Sequence, residues 1–174
     1  QYFGHLPHII RQSRTSIAIL SGNETDQELR ALGNDIFDYF GLGCRNVSKV
    51  YLPEGFDINR LFNALYPFNE IIHHHKYANN YDYNKAVWLL NSEQLLDNGF
   101  ILLKEDKALA SPTGSLYYEH YSKEEDVRRE LSSRSDEIQC IVSVKDIPFG
   151  HSQRPALWDY ADGVDTLSFL TALR

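Results

Sequence analysis

One segment of the sequence, Gly41-Leu42-Gly43-Cys44-Arg45-Asn46-Val47-Ser48-Lys49, joins a predicted helix to a predicted strand. The strand covers residues 47–52, and an earlier apolar run at residues 17–20 is typical of a buried strand. The helix between them begins after Asn23, a good N-cap residue, and ends at Gly41. Its apolar stripe has helical spacing and comprises Leu29, Leu32, Ile36, Phe37, Tyr39 and Phe40. Strand, helix and strand in this order predict a parallel βαβ unit.

The rest of the chain continues the alternation of helices and strands. A helical stripe at residues 58–65 and a helix capped by Asp82 precede three further apolar runs, at residues 100–103, 116–121 and 138–142. Ser122-Lys123-Glu124-Glu125 matches a capping box that opens another helix. We therefore expect one α/β domain over residues 1–174, with a mostly parallel sheet flanked by helices.

Charge and composition exclude two classes of partner. The formal net charge of −7 leaves no basic face for a nucleic acid. No apolar run approaches the roughly 20 residues of a membrane span. The chain has two cysteines, Cys44 and Cys140, which do not make a disulfide framework, so we expect a reducing, cytoplasmic location. The sequence begins at Gln1 and contains no methionine, which we take to indicate a fragment of a longer protein.

Cys44 is the candidate nucleophile. A cysteine is partly ionised at neutral pH, and Gly43 beside it permits a close approach to a ligand. Arg45 is a candidate to stabilise the thiolate, and Asn46 to orient the turn. His151, in a later loop, is a candidate proton donor. The alternative is that Cys44 is a small buried hydrophobe.

Two other features carry weaker signals. Cys140 lies in the middle of an apolar run, and we interpret it as an inert core residue. The run His73-His74-His75 suggests a metal, but adjacent histidines do not converge on one ion, so we predict no metal site. His74, His75 or His151 could instead serve as the base of a cysteine hydrolase or acyltransferase.

The Cys44 region resembles the catalytic-cysteine region of the aldehyde dehydrogenase superfamily. In that superfamily a lysine opens the strand before the catalytic helix, and Arg14 stands at the matching place, thirty positions before Cys44. Pro112 and Ile147-Pro148-Phe149-Gly150 resemble two of its conserved loops. A closer resemblance is to the acyl-CoA reductase family related to the bioluminescence fatty-acid reductase subunit, over residues 40–49, 74–90, 98–103 and 160–165.

The chain departs from the superfamily pattern at two positions. Ile10 stands where acid-forming members carry a glutamate base that activates water. Ala108 stands where a glutamate contacts the cofactor ribose. The first change suits a reductase, because an acyl-enzyme that awaits hydride must be protected from water. The second removes the side chain that, by this resemblance, contacts the cofactor ribose.

The resemblance implies a function for the C-terminal, catalytic half of such an enzyme. That function is reduction of an acyl thioester, on coenzyme A or an acyl carrier, to an aldehyde through an acyl-enzyme on Cys44. The resemblance also implies that NADPH is bound mainly by an amino-terminal half absent from this sequence, and that the protein is a homo-oligomer. The non-enzyme alternative is an interaction or oligomerisation module that has kept the fold without the chemistry.

Overall fold

A computed structural model describes residues 4–11 and 13–173. Of the predicted domain, positions 1–3, 12 and 174 lie outside the described residues. The α-helices are α1 (Asp26–Phe37), α2 (Ile58–Leu65), α3 (His75–Leu90), α4 (Glu124–Ser133) and α5 (Thr166–Ala172). The strands are β1 (Thr15–Ile19), β2 (Val47–Pro53), β3 (Leu96–Asp97), β4 (Leu102–Glu105), β5 (Ser115–Tyr121) and β6 (Ile138–Val142).

The strands form a single sheet in the order β3-β4-β5-β2-β1-β6. All neighbours pair in parallel except β3, which is antiparallel to β4. β1 and β2 are adjacent and parallel, as the βαβ pattern predicted. The α/β class and the mostly parallel sheet are therefore confirmed.

Alternating side chains of the central strands supply two cores. Ala18 and Val50 pack with Leu32 of α1 and Leu65 of α2. The neighbouring positions Ile17, Ile19 and Tyr51 pack instead with Val127 and Leu131 of α4. A fully buried aliphatic side chain of this kind contributes about 1.5–3 kcal/mol. The sheet is thus covered by helices on both faces, which explains why its inner strands are apolar runs.

One charged side chain breaks that apolar pattern. Lys49, in the central strand β2, is completely buried. Its Nζ lies 2.7 Å from Oε2 of Glu119 on the adjacent strand β5. The same Nζ lies 4.6 Å from the centre of the Tyr51 ring. A buried amine needs such partners, because an isolated charge is expensive to remove from water.

Helix α1 differs from its predicted limits at both ends. Its N-cap is Thr25, not Asn23, because Thr25 and Glu28 form a reciprocal capping box. The helix ends at Phe37 and not at Gly41. Tyr39 and Phe40 then adopt left-handed backbone conformations, with φ of 54° and 62°, and both side chains are exposed. The apolar spacing continued past the point at which the helix stops.

Two other predicted caps are wrong. Asp82 lies in the interior of α3, which begins a full two turns earlier at His75. Lys123, not Ser122, is the N-cap of α4, and no side chain caps this helix. The hydroxyl of Ser122 donates to the carboxylate of Glu54 instead. The local pattern predicted that Ser122 caps α4, but its hydroxyl binds a residue distant in sequence.

No helix within residues 4–11 and 13–173 is both long enough and apolar enough to cross a lipid bilayer.

The capping box predicts the effect of a substitution at Thr25. We expect Thr25→Ala to lower the free energy of unfolding by about 1 kcal/mol, because the N–H of Glu28 loses its acceptor. Urea denaturation checks the effect, with Asn23→Ala as the control. If the two variants lose equal stability, the cap is assigned to the wrong residue.

Candidate active site

Cys44 occupies an exposed turn that leads directly into β2. The turn is closed by a hydrogen bond of 2.9 Å from the N–H of Asn46 to the carbonyl oxygen of Gly43. Cys44 is exposed and its thiol is free, whereas Cys140 is buried in β6. The burial of Cys140 therefore agrees with its interpretation from the sequence as a core residue.

The side chain of Asn46 fixes this turn to the end of α1. Its Oδ1 accepts a hydrogen bond of 2.8 Å from the N–H of Gly43. Its Nδ2 lies 3.1, 3.3 and 2.7 Å from the carbonyl oxygens of Asp35, Ile36 and Asp38. Asn46 is only 2% exposed, so these polar groups have little access to water as an alternative partner.

Gly43 is required at its position by space. A Cβ atom there would lie 2.9 Å from Oδ1 of Asn46, which is too close. A larger residue would displace the amide that holds the turn. The glycine next to Cys44 therefore permits the Asn46 contact, in addition to any approach by a ligand.

Arg45 points away from the exposed face of the turn and towards a second loop, residues 147–153. Its Nε donates to the carbonyl oxygen of Ser152. Its Nη2 lies 3.9 Å from Oδ2 of Asp159. The guanidinium group of Arg45 is thus held by the later loop, whereas the backbone of Arg45 belongs to the cysteine turn.

Asp35 holds the same loop from the other side. Its carboxylate accepts hydrogen bonds from the N–H groups of Gly150, at 2.6 Å, and Ser152, at 2.8 Å. Burial raises the pKa of Asp35, and the two N–H donors and the nearby charge of Asp38 are smaller influences. Asp35 was not predicted from the sequence, because it lies in a helix where an acidic residue normally faces water.

The histidines lie elsewhere around the site. His151 is exposed in the turn that follows Pro148. His74 stacks on Phe40, with ring centres 4.0 Å apart, and His75 opens α3. Among residues 4–11 and 13–173, no hydrogen bond joins an imidazole to either thiol. The Cys–His pair that a hydrolase would need is not formed in this part of the chain.

Two backbone donors at the turn have no protein acceptor. Across the described stretches of the chain, the N–H groups of Cys44 and Arg45 make no hydrogen bond to protein. They belong to an exposed or half-exposed turn, and are therefore free to bind an oxygen atom of a ligand. Such donors can stabilise the negative charge that develops on a carbonyl oxygen under attack.

A narrow cleft lies beside the turn. It is bounded by Gly41 and Val47 on one side and by the loop of residues 111–115 on the other. Its apolar lining comprises Ile36, Phe37, Phe40, Tyr77 and Ile101. Four of these five side chains are buried and only Phe40 is exposed, so the cleft presents little apolar surface to a ligand.

The cysteine lies at the amino end of its strand. Open α/β sheets usually bind ligands beyond the carboxyl ends of their strands. The position of Cys44 in the sheet therefore does not indicate a ligand site, and the evidence for one is the geometry of the turn.

Arg14, at the start of β1, donates to the carbonyl oxygens of Asp136 and Ser135.

No group of three or more potential metal ligands occurs in the described part of the chain. A scan against known protein families finds no match for this chain. A search of the curated proteins finds no significant match either. The family resemblance therefore depends on the residues quoted above.

The hydrogen bonds of Asn46 predict a loss of stability on truncation. We expect Asn46→Ala to lower the free energy of unfolding by about 1–3 kcal/mol, because the N–H of Gly43 and three carbonyl groups lose a partner. Chemical denaturation measures this loss. Asn79→Ala, an exposed asparagine in α3, is the control, and an equal loss there would contradict the assignment.

The raised pKa of Asp35 predicts a pH dependence. As the pH falls from neutrality, the folded chain takes up a proton at Asp35 before the unfolded chain does, so this group adds stability on the acid side. Asp35→Asn removes that contribution. We therefore expect the stability difference, wild type minus Asp35→Asn, to grow as the pH falls through the pKa of the folded chain.

Denaturation curves at a series of pH values test this expectation. Asp82→Asn, an exposed carboxylate in α3, provides the control. A difference that shrinks with falling pH would show that hydrogen bonding to the carboxylate outweighs its burial.

Proposed function

We propose that this chain is the catalytic half of an acyl-CoA reductase with an aldehyde-dehydrogenase-like fold. The observation that carries the proposal is an exposed thiol, Cys44, beside unpaired backbone N–H groups in a turn that Asn46 holds by hydrogen bonds. The sequence resemblance to acyl-CoA reductases supports the same reaction class.

The first step is transfer of the acyl group to the protein. The thiolate of Cys44 attacks the carbonyl carbon of an acyl-CoA or acyl-carrier thioester, and the carbon–sulfur bond of the substrate breaks. Exchange of one thioester for another is nearly balanced in energy, so catalysis requires mainly positioning and charge stabilisation. The free N–H of Cys44 supplies a donor for the carbonyl oxygen, and the turn is held in place by Asn46.

Protection of the acyl-enzyme from water suits the residues near Cys44. Among residues 4–11 and 13–173, neither a carboxylate nor an imidazole makes a hydrogen bond to this thiol. By its resemblance to the aldehyde dehydrogenases, the chain has Ile10 at the position of the hydrolytic base. Such a site lacks the usual means of activating a water molecule, so an acyl group persists until a reductant arrives.

The reductant in this proposal is NADPH, which supplies the hydride that releases an aldehyde. Ala108 has no polar side chain to contact a ribose, so in this proposal most contacts to the cofactor lie outside this chain. NADPH binding, a homo-oligomeric assembly and a cytoplasmic location remain proposals that accompany the family resemblance.

Intact-mass spectrometry after incubation with a long-chain acyl-CoA tests the acyl-transfer step. We expect one acyl adduct, which peptide mapping assigns to Cys44, and none on Cys44→Ala. Cys140→Ala is the matched control and retains the adduct, because Cys140 is buried.

Alkylation by iodoacetamide shows in parallel that Cys44 is accessible. If Cys44 is alkylated but never acylated, in this chain and in a longer protein that contains it, the acyl-enzyme proposal is wrong. The interaction-module alternative would then be favoured.

A further inference from the structure

The two cysteines of the chain lie on either side of Ser16 in β1. The hydroxyl of Ser16 donates to the carbonyl oxygen of Cys44 at 2.9 Å. The same Oγ lies 3.0 Å from Sγ of Cys140. These two contacts meet at one atom, so Sγ of Cys140 lies within about 6 Å of the backbone of Cys44.

The hydrogen atoms define the direction of this chain of contacts. A serine hydroxyl has a single proton to donate. Because that proton goes to the carbonyl oxygen of Cys44, the S–H of Cys140 must be the donor to Ser16. Cys140 is therefore held as a protonated thiol with its sulfur directed at Ser16, on the side where Cys44 lies.

The two thiols differ in their access to solvent. Cys44 is exposed, whereas Cys140 is 8% exposed. Burial raises the pKa of Cys140. A small oxidant can therefore reach the first thiol freely and the second only with difficulty.

The backbone around Ser16 is irregular on both sides. The β1–β2 register shifts between Ser16 and Ile17, and the β1–β6 register shifts between Thr15 and Ile17. Cys44 belongs to no strand and its side chain is exposed, so rotation of that side chain towards Cys140 breaks no ladder hydrogen bond. A disulfide needs Cα atoms about 4.4–6.8 Å apart, and the movable partner is the exposed one.

We propose that Cys44 and Cys140 are a peroxide-sensitive pair, in which Cys140 captures oxidised Cys44 as an intramolecular disulfide. The Cys44 thiolate attacks one oxygen of hydrogen peroxide, the O–O bond breaks, and a sulfenic acid and hydroxide form. The sulfur of Cys140 then attacks the sulfur of Cys44, the S–O bond breaks, and the hydroxyl group leaves as water with the thiol proton of Cys140. Each peroxide thus accepts two electrons from two thiols.

This inference does not depend on the proposed reductase function. If Cys44 is the nucleophile, the disulfide blocks it reversibly and prevents its irreversible oxidation. If Cys44 has no catalytic role, the same pair still forms, because only the two thiols and peroxide take part.

The test is treatment of the whole chain with hydrogen peroxide, followed by non-reducing peptide mapping and intact-mass measurement. We expect the loss of two hydrogen atoms, a linked peptide that contains Cys44 and Cys140, and full recovery of iodoacetamide reactivity after reduction. In Cys140→Ser, the expected product is sulfinic or sulfonic acid on Cys44, at a level several-fold above wild type.

Two results would overturn the proposal. One is wild-type Cys44 that proceeds to sulfinic acid as readily as in Cys140→Ser. The other is a disulfide between the Cys44 residues of two chains. The wild-type peptide map decides the question by itself if Cys140→Ser does not fold, and Cys44→Ser checks that Cys140 alone is not oxidised.

Discussion

The amide of Asn46 is the contact on which the geometry of the cysteine turn depends. The last carbonyl groups of any helix lack partners within the helix. Two carbonyls at this end of α1, and the carbonyl of Asp38 just after it, point to one amide nitrogen, which belongs to the residue just before β2. The end of the helix and the start of the strand are therefore fixed to each other, and Cys44 lies between them. The same contact requires a glycine at position 43.

A second constraint connects this turn to a distant part of the chain. Asp35 binds two N–H groups of the loop at residues 147–153, and a carbonyl of that loop binds Arg45. The loop is therefore held on one side by the end of α1 and on the other by the cysteine turn. Burial of the carboxylate has an energetic cost, which the raised pKa of Asp35 reflects. The turn is therefore held by contacts between residues distant in sequence, as well as by its local geometry.

Much of the fold could be predicted from local patterns. Apolar runs located the βαβ unit, and the position of Cys140 within such a run correctly indicated burial. Two of the errors have a common cause, which is competition from residues outside the helix concerned. The stripe that continued to Phe40 suggested a longer helix, but Asn46 takes the carbonyls at its end. Glu54 likewise takes the hydroxyl of Ser122. Asp35 and Ser16 gave no sequence signal, because their importance lies in partners that only the folded chain brings near.

The buried amine of Lys49 has a consequence for how this sequence can diverge. Loss of Glu119 alone would leave a charge inside the protein without its partner, which is among the most damaging single changes a core can suffer. Replacement of both residues by apolar ones of similar volume need cost little. Relatives of this chain are therefore expected to show correlated substitution at the two positions. Covariation of Lys49 in β2 with Glu119 in β5 would then identify proteins related to this chain, even where the residues of the cysteine turn differ.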